Sequence, residues 1–126
     1  MTITTRRTPP LASALLPVIL ILTLLAAGLH FYEAIAAPDV RLLFTLNGVV
    51  WLALLAAYTL PIPALAEYRR PIRWLLAGYA ALTIAAFFVW NILKGQWTPL
   101  GWITTAIEVA LVVLLLLADR QAEAAR

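Results

Sequence analysis

Three features of this chain have residue types and settings capable of chemistry. The first is a carboxyl group, Glu108, inside the apolar run WITTAIEVALVVLLLLADR. An acid among hydrocarbon side chains can hold and release a proton, bind a solute, or clasp a neighbouring helix. The second is the single histidine, His30, in LHFYEA. Its imidazole can act as axial ligand to a haem or a chlorophyll-type metal, although a lone histidine near a span end is more often an anchor. The third is the cluster EYRRPIRW, where Arg69, Arg70 and Arg73 stand beside Tyr68 and Trp74. Such a cluster can dock anionic lipid head groups or the acidic surface of a partner, and more commonly it sets topology alone. No Gly-rich phosphate loop, nucleophile-and-base set, metal-ligand spacing or paired carboxylates accompanies these residues, which argues against an enzyme. The absence of cysteine removes disulfides, thiolate metal sites and thiol nucleophiles together.

The elements that must position these groups belong in a bilayer. A chain of 126 residues that is 64% hydrophobic and 12% charged, with mean hydropathy +0.96, lies outside the soluble globular range. Its net charge of +3 comes from small basic clusters beside apolar runs, which fits membrane orientation rather than nucleic-acid binding. A hydrocarbon core about 30 Å thick needs roughly 20 apolar residues in a helix. The chain has four such windows, residues 11–32, 41–60, 71–93 and 99–118, flanked by a mobile tail over residues 1–10 and a cytoplasmic tail over residues 119–126. Asp39 is placed to cap the second helix, and Pro61 and Pro63 end it. Pro71 suits a first turn, Gly95 a left-handed helix end, and Thr98-Pro99 a capped restart. Pro17 is expected to kink the first helix, with the Ser13 hydroxyl compensating the freed carbonyl. That first window has some marks of a cleaved signal, but its apolar core exceeds the usual h-region of about 7–15 residues, so it is expected to be retained.

Counting Lys and Arg near the span ends gives Arg6, Arg7, Arg69, Arg70, Arg73, Arg120 and Arg126 on one side, and Arg41 and Lys94 on the other. The positive-inside rule then places both termini in the cytoplasm of, by expectation, a bacterial inner membrane. Trp74 falls at the inner interface and Trp90, Trp97 and Trp102 near the outer one. The fold expected is an all-α, membrane-embedded antiparallel four-helix bundle.

Polar and small residues should mark the faces where helices meet, because lipid cannot satisfy them. The fourth helix has Gly101, Thr104, Thr105 and Glu108 on one face; the third has Tyr79, Thr83, Phe87, Trp90 and Asn91. On the second, Thr45, Asn47, Gly48, Trp51 and Tyr58 form a broader arc, and on the first Thr23, Ala27 and His30 align. Nine residues beyond Pro99, at about 1.5 Å each, Glu108 lies roughly 13 Å into the span. No Lys or Arg reaches that depth, so the carboxyl is expected to remain protonated and to hydrogen-bond a neutral group: Asn47, Thr23, Tyr79 or Thr83. Glu33 and Arg41 are in range to pair across the first loop; the ending ADRQAEAAR is able to prolong the fourth helix into water, where its charges need no partner.

The segments LLFTLNGVVWLALLAAYTLP, RRPIRWLLAGYAALTI and ITTAIEVALVVLLL resemble a family of small four-helix bacterial integral membrane proteins of uncharacterised function. The likeness spans most of the chain after Leu24 and implies no activity. The chain is also similar in length and helix count to the small multidrug resistance transporters, whose essential intramembrane glutamate lies in the first helix rather than the fourth. Small subunits that brace photosynthetic and respiratory complexes share the same architecture. The function expected first is that of a non-catalytic accessory subunit packing against larger integral membrane proteins, with lipid, quinone or pigment between them. The alternatives are a dimeric proton-coupled small transporter acting through Glu108, and a single-haem or pigment-binding bundle using His30. Expected partners are membrane lipids, other integral subunits or a second copy of the chain, and no nucleic acid.

Overall fold

Apolar runs interrupted by proline and glycine become four long helices. The computed structural model describes residues 11–125, with side chains from residue 14. Residues 1–10, including Arg6 and Arg7, and Arg126 lie outside the described residues, as does the side chain of Ser13. Helix α1 spans Leu11–Ala36, α2 Arg41–Thr59, α3 Arg69–Lys94 and α4 Pro99–Ala124, with short 3-10 turns at Pro38–Val40 and Pro63–Tyr68. All four helices are long and apolar enough to cross a membrane. The described chain is all-α.

The punctuation acts largely as its chemistry requires. Gly95 takes a left-handed conformation (φ 65°) and its N–H donates to the Asn91 carbonyl at 2.7 Å, closing α3. The Thr98 hydroxyl accepts from the Gly101 N–H at 3.1 Å, and Pro99 opens α4, where its missing N–H leaves no bond unmade. At the head of α2 the expectation changes. Asp39 is taken up in the 3-10 turn, and the residue before α2 is Val40, with no side-chain cap. Helix α1 continues through Pro17 and ends at Ala36, a turn beyond the anticipated boundary at residue 32. Residues 119–124 prolong α4 as regular helix, as the ending ADRQAEAAR allows.

Helix α1 packs against both α2 and α4, and α3 packs against α4, whereas the seam between α2 and α3 is thinner than these three. The core at these seams holds Ile19, Ala26 and Ala27 of α1, Trp51 of α2, Leu76 and Ala80 of α3, and Leu111 and Leu115 of α4. The alanines let the helix backbones approach closely. Two glycines are needed for the same reason. A Cβ on Gly48 would stand 2.9 Å from Phe31, and one on Gly101 would stand 2.6 Å from Phe87. Phe87, Phe88, Trp97 and Trp102 form an aromatic cluster at the α3–α4 turn, with Trp97 and Trp102 stacked at 5.4 Å.

At the other end of α3, Arg73 joins three helices. Its Nη1 donates to Asp119 of α4 at 2.9 Å, and its Nε donates to the Tyr58 hydroxyl of α2 at 3.3 Å. Arg70 stands 3.4 Å from Asp119 and also pairs with Glu123. Two charges at the end of α4, Asp119 and Glu123, expected from the sequence to need no partner, are therefore paired with Arg70 and Arg73. Arg69 and Trp74 are exposed beside this cluster.

Candidate functional site

The polar stripe on α4 is buried as a unit: Gly101, Thr104, Thr105 and Glu108 all face inward. A matching stripe on α1 runs through Ile19, Thr23, Ala26, Ala27, His30 and Ala34, at the three-and-four spacing of one helix face. Where the two stripes meet, His30 and Glu108 come together. The His30 Nε2 lies 3.7 Å from the Glu108 Oε1, with side-chain exposures of 5% and 3%. The two residues read from sequence as separate sites are one site.

The imidazole is oriented by its own helix. His30 Nδ1 lies 2.7 Å from the Ala26 carbonyl oxygen one turn earlier. A carbonyl only accepts, so Nδ1 carries the hydrogen and Nε2 of the neutral ring presents its lone pair to Glu108. A protonated Glu108 can donate to that lone pair, and a proton transferred to Nε2 gives an ion pair with no net charge. Either arrangement holds one proton and spares the bundle an uncompensated buried charge. The separation of 3.7 Å exceeds a direct hydrogen bond, so a small rotation of either side chain is needed to close it. Phe44 of α2 packs beside the imidazole, with ring centroids 6.0 Å apart.

Of the partners anticipated for Glu108, Thr83 is the one beside its carboxyl, and the others make their closest contacts elsewhere. Thr23, fully buried, donates to the Ile19 carbonyl at 2.7 Å. Asn47 accepts from the Tyr79 hydroxyl across the α2–α3 seam. Thr83 donates to the Ala80 carbonyl at 2.8 Å and stands near the Glu108 carboxyl, as Tyr79 does at longer range. Asn47, Tyr79 and Thr83 thus form a second polar layer around the pair, while Thr23 satisfies itself within α1. Arg41 does not pair with Glu33: its Nε donates to the Ala34 carbonyl at 3.1 Å. Glu33 is half-buried, one turn from His30 towards the α1–α2 loop.

A first span ending at residue 32 leaves His30 near the interface and apart from Glu108, whereas α1 runs on to Ala36. Four further helical residues, at about 1.5 Å each, set the imidazole roughly 6 Å deeper relative to the helix end. The useful signal was already present, since His30 extends the Thr23–Ala27 stripe and an inward histidine needs an acceptor and a donor.

Along the α2–α3 seam two shallow hollows, of about 380 and 230 Å³, share Val50, Tyr79 and Leu82 and form one apolar groove. Asn47, Tyr79 and Thr83 provide its polar atoms. Among the described residues no three His, Asp or Glu side chains gather as a bound metal ion would require. The imidazole nitrogen free to act as an axial ligand faces Glu108 inside the bundle rather than the bundle surface. No protein-family model, no curated protein and no solved structure matches the chain.

Proposed function

We propose that the chain crosses the bilayer four times with adjacent helices antiparallel and both termini in the cytoplasm, and that it works as a small proton-coupled carrier. The residue pairings support the antiparallel reading: Asn47 meets Tyr79 and Tyr58 meets Arg73, so numbers rise on α3 as they fall on α2. The seven-to-two distribution of Lys and Arg supports the orientation.

The observation that carries the functional reading is the sealed His30–Glu108 pair. An intramembrane ionisable group is costly to insert, and a pair able to hold a single proton in two places is what proton coupling needs. The groove beside it has apolar walls and a polar floor of Asn47, Tyr79 and Thr83. It suits an apolar solute with one hydrogen-bonding end, entering from the lipid. Four helices enclose little volume, so a second copy completes the passage.

Reconstituted protein should drive solute-dependent proton flux into liposomes, and Glu108→Gln should abolish it. A Glu108→Gln protein that folds and moves protons like the parent would overturn the proposal. A second reading, that of an accessory subunit, is favoured by the same groove, because Gly78 leaves an opening between Leu75 and Leu82 into which a partner helix can settle. Extraction in gentle detergent separates the two, since an accessory subunit migrates with a large assembly and a carrier migrates alone or as a dimer.

A further inference from the structure

The surroundings of the pair differ sharply between its two sides. Towards the α1–α2 loop, α1 presents Glu33 three residues after His30, on the same helix face and half-buried. On α4 the buried hydroxyls of Thr104 and Thr105 continue in that direction. Towards the other end Ile19, Leu76, Leu111 and Leu115 are fully buried, the Thr23 hydroxyl among them is committed to the Ile19 carbonyl, and Trp51 beside them offers only an indole N–H. Beyond that layer the next polar groups are Tyr58, Arg73 and Asp119, already bonded to one another.

Resting on the proton-coupled reading, we propose that the Glu33 carboxyl is the port through which the His30–Glu108 pair exchanges its proton with water, and that this exchange runs only towards the α1–α2 loop. Glu33 takes a proton from the aqueous face. Its O–H bond then breaks as one forms on Glu108 or on His30 Nε2, and the Glu33 carboxylate is regenerated. The other groups facing the pair do not compete for this role. Tyr79 of α3 is bonded to Asn47, Thr83 of α3 to the Ala80 carbonyl, Arg41 of α2 to the Ala34 carbonyl, and Phe44 of α2 carries no proton. The layer of Ile19, Leu76, Leu111 and Leu115 holds no group able to relay a proton in the opposite direction.

The test is time-resolved infrared spectroscopy of the full chain inserted in one orientation in liposomes, following the carboxyl band that Glu108→Gln removes after a pH step on one side. The parent should respond to a step on the loop side and not to one on the opposite side. Glu33→Gln should leave the amplitude of the band unchanged and slow its appearance on the order of a hundredfold, the effect of losing one group from a proton-transfer path. Glu33→Asp should restore most of the rate. An unchanged rate in Glu33→Gln, or a response to the opposite side, overturns the port while leaving proton binding intact. A Glu108 band that never titrates removes the proton-binding reading and the port together.

Discussion

Replacing the two members of the buried pair singly and together distinguishes a working contact from coincidental proximity. With Nδ1 bonded to Ala26, the His30 Nε2 can only accept while the ring is neutral. In Glu108→Gln the side-chain amide keeps the length of the glutamate and can donate to that nitrogen, so the cost should stay below about 1 kcal/mol, the worth of an ordinary hydrogen bond. His30→Phe strands the buried acid without its partner, with an expected cost of about 1–3 kcal/mol for an unsatisfied polar group. Adding Glu108→Leu removes the stranded group, so the double variant His30→Phe/Glu108→Leu should be more stable than His30→Phe alone. The sign of that second step is the diagnostic. Two independent sites would give energies that add to within about 0.5 kcal/mol, and Glu108→Leu would then have the same effect in either background. Reversible unfolding in mixed micelles of graded denaturing detergent, read by tryptophan fluorescence, supplies all four corners of the cycle. Additivity, or a double variant weaker than His30→Phe, would refute the contact.

Other expectations follow from the packing. Gly101→Ala forces a methyl to 2.6 Å from Phe87 and should destabilise the fold by about 1–3 kcal/mol, whereas Gly78→Ala meets nothing within 4 Å and should be neutral or stabilising by up to about 1 kcal/mol, both measurable in the same unfolding assay. Arg73→Leu leaves Asp119 without its closest partner and should cost about 1–3 kcal/mol, between the values of exposed and buried pairs, with Asp119→Asn in the same variant recovering part of the loss. Trp51 is fully buried with its indole N–H unpartnered, so Trp51→Phe should cost less than the volume lost implies, under about 1.5 kcal/mol against the 3–5 typical of deleting a core aromatic.

The sequence made the helices and their ends legible where a residue has only one physical use. Gly95 alone can take a left-handed helix end without strain, and Thr98-Pro99 leaves one way to restart the chain. Asp39 failed as a cap because Pro38 before it begins a 3-10 turn that absorbs it. The inward stripes were visible for a similar reason, since Thr104, Thr105 and Glu108 interrupt an otherwise apolar helix and share one face. What could not be read was which stripe faces which. That depends on the relative heights of α1 and α4, which a single turn of extra helix at residues 33–36 changes. Glu108 and His30 both stand out in the sequence, but as separate sites at different depths. Likewise, Asp119 and Arg73 lie 46 residues apart, and their meeting depends on how far α4 extends past residue 118.

The thin contact between α2 and α3 has a consequence for assembly. The described chain packs as two helix pairs, α1 with α2 and α3 with α4, and the pairs hold together chiefly along α1 and α4. The proline-rich link after Thr59 is therefore a natural place to divide the molecule. Two separately made pieces should find each other in the bilayer, recognising one another through a histidine on one and an acid on the other.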